Sequence, residues 1–295
     1  MACVLGIGIA TLDVINEVDG YPAEDAEVRA LDQHLVPGGN ATNTLTVLAL
    51  LGHQCRLGAS LADDPEGQRV RRELAGRGID TAGCTVHPRG KTPTSYICLN
   101  RRNGSRTIVH YRDLPELGYD DFRRLDLDGV RWLHFEGRNV AQTRRMITRA
   151  RTLRPRVRIS VEIEKPHEGI ESLFAGASVL LFSRPFARER GFQEAGALLA
   201  WARGRAPTTD LICAWGEAGA FALDSEGVLH HRPAVPPAAL VDTRGAGDAF
   251  NAAAIDALLR GQGLLAALEH ANRLAGAKCG MRGFDGLSEF RAMLP

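Results

Sequence analysis

Residues 241–261 read VDTRGAGDAFNAAAIDALLRG: a turn of small residues, Gly245-Ala246-Gly247, one acid, Asp248, and then an alanine-rich run. The run predicts a helix over about 247–260. Gly245 and Gly247 let the backbone fold so that successive N–H groups face one point. The helix start adds its own free N–H groups and the positive end of its dipole. An anion such as a phosphate fits there. Asp248 at that start is expected to be held ionised, as a general base requires. The plain alternative is a loop with an acidic helix cap.

Upstream of this stretch, short apolar runs alternate with helical patterns. Strands are expected at 4–10, 55–60, 131–135, 157–163, 178–182 and 210–215. Helices are expected at about 40–51, 65–76, 140–153 and 193–203, with a further one at 264–279. Strands apolar on both faces and separated by helices indicate a mostly parallel sheet covered on both sides, an α/β fold whose ligands bind at the carboxyl ends of the strands. Residues 13–37 and 92–112 break the rhythm. They alternate without an intervening helix, and “TSYICLN” and “RTIVHY” predict a hairpin turning near Asn103-Gly104. These two stretches are expected to form a small accessory sheet.

Two other glycine motifs fail as phosphate loops. “GIGIAT” (6–11) has Thr11 where a dinucleotide fingerprint needs its third glycine, and an extended pattern follows. “RGKT” (89–92) has Thr85 where a P-loop needs a glycine, and a strand follows. “PGGNATNT” (37–44) is more informative. Gly38 and Gly39 precede a helix that sets Asn40 and Asn43 on one turn, and paired amides suit a polyhydroxylated ligand because each both donates and accepts. Asp13, just past the first strand, adds an acceptor for hydroxyl groups.

In 295 residues the net charge is +1, and the arginine pairs at 71–72, 101–102, 123–124 and 144–145 are scattered. No nucleic-acid partner is indicated. No apolar run reaches the ~20 residues of a membrane helix. Six cysteines lack C-x-x-C spacing, and the apolar N-terminus has no basic leader, so neither a zinc site nor a disulfide framework is expected and the protein is placed in the cytoplasm.

“GGNATN” (38–43) and “DTRGAGDAFNA” (242–252), in this order and at this separation, resemble the two signatures of the ribokinase-like carbohydrate kinases. “GSRTI” (104–108), “HFEGRN” (134–139), “SVEIEKP” (160–166), “CAWGEAGA” (213–220) and “KCGMRGFDG” (278–286) extend the likeness over almost the whole chain, toward the branch that phosphorylates D-fructose at O1. The resemblance implies a ribokinase-like three-layer α/β/α sandwich. It implies one domain over 1–295, with a β-sheet lid inserted from about 13–37 and 92–112.

The implied reaction is in-line phosphoryl transfer from ATP to a sugar hydroxyl. By resemblance, Asp248 is the base, and Gly245, Ala246 and Gly247 form the anion hole. The sugar is held by Asp13, Gly39, Asn40, Asn43, Arg138 and Asp248. The nucleotide is held by Arg106, by Gly216, Glu217, Ala218 and Gly219, and by Cys279 and Gly280. Where many relatives carry an N-x-x-E segment that positions Mg2+ through water, this chain has Ser183-Arg184-Pro185-Phe186. Glu162 and Glu164 are then the candidates for that task, with Glu136 and Glu217 as further acids. An acid is expected where Ala218 stands. The resemblance also raises potassium (K+) against the backbone of Asp242 and Thr243, and the accessory strands, with one apolar face exposed, suggest a homodimer packed lid to lid. Kinases for another sugar or a nucleoside remain alternatives. A sugar-binding regulator without chemistry is a third, disfavoured because Asp248 is retained.

Overall fold

Strands that are apolar on both faces need helices above and below, and the computed structural model, which describes residues 1–293, shows how they are supplied. Five strands pair in parallel in the order Val179–Ser183, Arg158–Ile163, Val130–Glu136, Cys3–Ile7 and Gln54–Gly58. A sixth, Asp210–Ala214, joins the first of these in parallel. Beyond it the strands Ala220–Leu223 and Leu229–Arg232 run antiparallel, and Ile79–Asp80 closes the other edge.

Successive residues point to opposite faces, so Leu180 and Phe182 enter one core while Val179 and Leu181 enter the other. The first core lies under the helices Val140–Leu153 and Ala195–Arg203. The second holds Leu45, Leu48, Trp132, Phe250 and Ile255 against the helices Asn40–Leu50, Ala246–Leu259 and Leu264–Cys279. The 246–259 helix is alanine-rich because it is buried on nearly every side. Ala249, Ala252, Ala253, Ala254 and Ala257 are all in the core. Small side chains let its neighbours on both sides approach closely. Gly276 on the 264–279 helix does the same, since a Cβ there would collide with Val235 O.

The second sheet has four strands in the order Asp32–Gly38, Thr11–Val18, Thr94–Asn100 and Arg106–Tyr111. The last two form a hairpin whose turn holds Gly104 at φ +70°. The first strand ends at Ile7 rather than Ala10. Gly8 N–H still reaches Gly58 O, but Ile9 N–H turns to the Glu136 carboxylate, and the chain leaves for the second sheet. The strands at 220–223 and 229–232 were not among those expected. They are short, and 229–232 carries two histidines and an arginine at a half-exposed edge.

Ala254→Leu should overpack this helix sandwich and destabilise the fold by about 1–3 kcal/mol. Urea unfolding checks it; an unchanged midpoint would show that the helices do not press on residue 254.

Candidate active site

Two helix starts converge at the carboxyl ends of the strands. Gly39 precedes the first, at φ +105°, with its α-carbon so close to Ile9 O that any Cβ would collide. Gly38 is small for a different reason: a Cβ there would strike the Asp13 carboxylate. The helix has no side-chain cap of its own. Glu136 supplies one from across the sheet, its Oε1 accepting Ala41 N–H at 2.8 Å and Ile9 N–H at 3.1 Å. Thr42 Oγ1 donates to Ile9 O at 2.8 Å. The strap fixes where Asn40 and Asn43 emerge.

The second start is the Gly245 turn. Gly245 sits at φ +70° with its α-carbon against the Phe284 ring. The arrangement differs in one detail from the expected anion hole. Ala246 N–H is turned back onto Thr243 O at 3.3 Å. Among the described residues no protein acceptor takes the N–H groups of Gly245 and Gly247, nor that of Asp248, so these are the open donors at the helix start. Arg106, on the last strand of the second sheet, places Nη1 3.3 Å from Thr243 Oγ1, beside the turn.

Asn43 Nδ2 donates to Asp248 Oδ2 at 2.8 Å, joining the two helix starts across the sequence. Asp248 is buried, and its pKa is pushed up to about 8. Burial is the main cause, the Asn43 hydrogen bond opposes it, and Glu164, Glu136 and Asp13 add to it. Ionisation of Asp248 in the free protein is therefore opposed by its surroundings. The helix start favours the charge, but lost hydration among other acids outweighs it. Asp13 is raised by burial too, despite its hydrogen bonds from Thr11 and Ser95.

Glu162 Oε1 accepts from Asn251 Nδ2 at 3.0 Å, while its buried Oε2 has no partner. Burial, then Asp248 and Glu164, hold its carboxyl well above the usual range. Glu164 Oε2 accepts from Asn40 Nδ2 at 3.1 Å. A buried, unpaired carboxylate oxygen facing a second acid fits a divalent cation held directly or through water. Glu162 and Glu164 thus suit Mg2+. Ser183 and Arg184 do not supply an acid; Ser183 caps the short helix Arg184–Glu189, and Arg184 reaches toward Trp215 O. Asp242 O accepts from Lys278 Nζ at 2.8 Å and Thr243 O from Ala246 N–H, and each carbonyl keeps a second lone pair.

Arg138 is committed to two acids, Nε to Glu116 Oε1 at 2.6 Å and Nη1 to Glu136 Oε2 at 3.4 Å. It lines a depression with Asn40, Glu162 and Glu164, so it borders a residue expected to hold the sugar while steadying Glu136. Gly216–Ala218 form a tight turn after the 210–214 strand, with Glu217 exposed. Gly219 packs on Arg232 O, and Gly280 packs on Pro237. Cys279 O accepts from Val241 N–H and Asp242 N–H. The segment 232–242 therefore ties both groups of nucleotide candidates to the phosphate turn. A cavity of about 260 Å3 opens among Asp13, Asn43, Asp242, Arg244, Gly245 and Phe284.

Sequence reasoning missed Asn251 and Lys278. Asn251 lies one helical turn after Asp248, which was a usable signal. Lys278 is one of three lysines in an arginine-rich chain and is fully buried.

In the unfolded chain Asp248 loses its proton near pH ~4, but in the folded chain only near 8. Folded stability should therefore fall as pH rises through that window and level off above it. Asp248→Asn removes the effect. Its melting temperature should exceed that of the unsubstituted protein by a margin that grows from pH 5 to pH 8. A margin independent of pH in thermal unfolding would contradict the burial argument.

Comparison with known proteins gives the family and the fold. The family profile described as pfkB family carbohydrate kinase matches residues 1–289. Ketohexokinase of Mus musculus is 41% identical over 292 residues, covering 96% of this chain and 98% of the relative. Among solved structures, ribokinase from Giardia lamblia superposes with a TM-score of 0.85 at 14% identity, over 100% of both chains. Arabidopsis thaliana ribokinase complexed with ribose and ATP gives 0.81 at 18% identity, over 99% of this chain and 98% of that one. The chain belongs to the pfkB family of carbohydrate kinases and has the ribokinase-like fold.

Proposed function

We propose that the protein transfers the γ-phosphoryl group of ATP to a ketose, D-fructose at O1, giving D-fructose 1-phosphate. The observation that carries this is the Asn43–Asp248 contact: a base candidate lies between sugar-binding amides and the open N–H groups of Gly245 and Gly247. The likeness to mouse ketohexokinase over nearly the full chain supports the choice of ketose.

Phosphoryl transfer asks for positioning and charge neutralisation more than for covalent chemistry. Asn40 and Asn43, the backbone at Gly39, and Asp13 hold the sugar hydroxyls, with Arg138 at the rim. Asp248 takes the proton of the attacking hydroxyl. A carboxylate with a raised pKa is a better proton acceptor than an ordinary aspartate. The N–H groups of Gly245 and Gly247 hold the charge that develops on the transferred group, and Arg106 meets the ATP phosphates as a planar donor pair. Gly216, Glu217, Ala218 and Gly219 flank the nucleotide on one side, Cys279 and Gly280 on the other. Mg2+ arriving with ATP supplies neutralising charge, and Glu162 and Glu164 are the residues that would hold it.

The site of action in this reading is the cytoplasm, where six free thiols stay reduced. The reading also includes a homodimer through the second sheet. Its edge strand Arg106–Tyr111 is exposed throughout, and Val109 and Tyr111 on it form an apolar face with Tyr96 of the neighbouring strand.

Three measurements check these statements. ADP release across a panel of ketoses, aldoses and nucleosides should be fastest with D-fructose, with NMR showing the phosphate on O1. Asp248→Asn should lower kcat by about 100- to 10,000-fold with near-normal sugar affinity. Preference for a nucleoside or aldose, or unchanged turnover in the variant, would refute the reading. Light scattering should give twice the 31.9 kDa chain mass, and Val109→Arg should yield the monomer. A monomeric unsubstituted protein would refute the dimer.

A further inference from the structure

We propose that Lys278 is a positioning residue: its buried ammonium holds the chain entering the Gly245 turn, and through it the open N–H groups and Asp248. The proposal rests on the phosphoryl-transfer reading above.

Lys278 lies in the last turn of the 264–279 helix and is fully buried. All three of its donors are used. Nζ meets Asp242 O at 2.8 Å, Asp242 Oδ2 at 3.2 Å and Met281 O at 3.3 Å. The Asp242 carboxylate also accepts from Arg244, through N–H at 3.0 Å, Nε at 2.9 Å and Nη2 at 3.1 Å. The main chain repeats the link, because Val241 and Asp242 N–H both bond Cys279 O. Residues 241–244 are thus fastened to 278–281 through backbone and side chain, one residue before the turn begins.

A buried ammonium is costly unless its partners are in place, so the cluster tolerates one arrangement far better than any neighbouring one. Moving Asp242 would strand the charge of Lys278, and moving Met281 would strand one of its donors. Phe284 completes the floor. Its ring carries Gly245 and lies with its centre 5.8 Å from Nζ. The choice of residue follows. The other two lysines, Lys91 and Lys165, are exposed, and arginine serves nearly every other basic position. In this closed space a compact ammonium with three divergent donors fits a carboxylate and two carbonyls, where a planar guanidinium would not.

The charge also acts as charge. Lys278 and Arg244 together place two positive groups around one carboxylate, in the wall of the cavity that joins Asp13 and Asn43 to the turn. The cluster therefore carries net positive charge behind the place where phosphate groups gather.

Lys278→Ala tests the role. With potassium and ionic strength held constant, kcat should fall about 10- to 100-fold while the KM for sugar changes little. MgADP affinity by calorimetry should fall as well. Ammonium chloride should restore part of both, because a free ammonium ion fits the space left by Nζ, whereas tetramethylammonium chloride should restore neither. The unsubstituted protein should respond to neither salt. A folded Lys278→Ala protein that keeps its kcat and MgADP affinity would overturn the proposal, as would a loss that ammonium does not reverse. Should that variant fail to fold, Lys278→Met keeps the aliphatic stem and removes only the charge. Unchanged MgADP affinity there overturns the proposal, and weakened affinity supports it. Failure of the kinase reading would show instead as an unsubstituted protein that turns over no sugar.

Discussion

The hydrogen bond of 2.8 Å from Asn43 to Asp248 is the point on which the rest of the structure bears. It joins the first turns of two helices that begin more than 200 residues apart. Each helix is held by a different device. The 40–50 helix is fixed at its start by the Glu136 carboxylate and by Gly39, which has no room for a side chain. The 246–259 helix is fixed along its length by close packing of alanines and at its start by the Asp242–Lys278 cluster. Both the sheet and the cores serve to bring these two starts within one hydrogen bond of each other.

The same convergence gathers carboxylates. Burial raises the proton affinity of Asp13, Glu136, Glu162 and Asp248, and at Glu162 and Asp248 the neighbouring acids add to the effect. Such a group of acids is poorly stabilised by the protein alone. Arg138 offsets part of the charge beside Glu136, but Glu162 Oε2 is left without a partner. The free protein is thus arranged for positive charge to arrive with a ligand. Once positive charge arrives and lets it ionise, a carboxylate whose surroundings raise its proton affinity is a strong proton acceptor, so the strain of the free site and the chemistry assigned to it have one cause.

Much of this was legible in the sequence. The parallel strands and their covering helices followed from apolar runs buried on two faces, and the predicted limits lie within a few residues of the observed ones. Gly38-Gly39-Asn40 and Gly245-Ala246-Gly247-Asp248 announced two helix starts with room for a ligand. What could not be read was which groups face each other. The spacing of Asp248 in its helix suggests an ionised acid; only the fold shows four other carboxylates around it. Arg138 reads as a free binding arginine until Glu116 and Glu136 are seen to hold it. Lys278 is inconspicuous in “AGAKCG”, because its meaning lies in Asp242 and Met281, which the helix end brings to its ammonium. The edge strands at 220–223 and 229–232 escaped because each is only four residues long, and the second is mostly polar.

The central claim is that Asp248 deprotonates a sugar hydroxyl while the Gly245 turn holds the incoming phosphoryl group. A crystal structure with D-fructose, Mg2+ and a non-hydrolysable ATP analogue tests it most directly. The account predicts one Asp248 carboxylate oxygen within about 3 Å of the fructose O1 and the γ-phosphate on the N–H groups of Gly245 and Gly247. A carboxylate turned away from every sugar hydroxyl, or a γ-phosphate bound elsewhere, would contradict it.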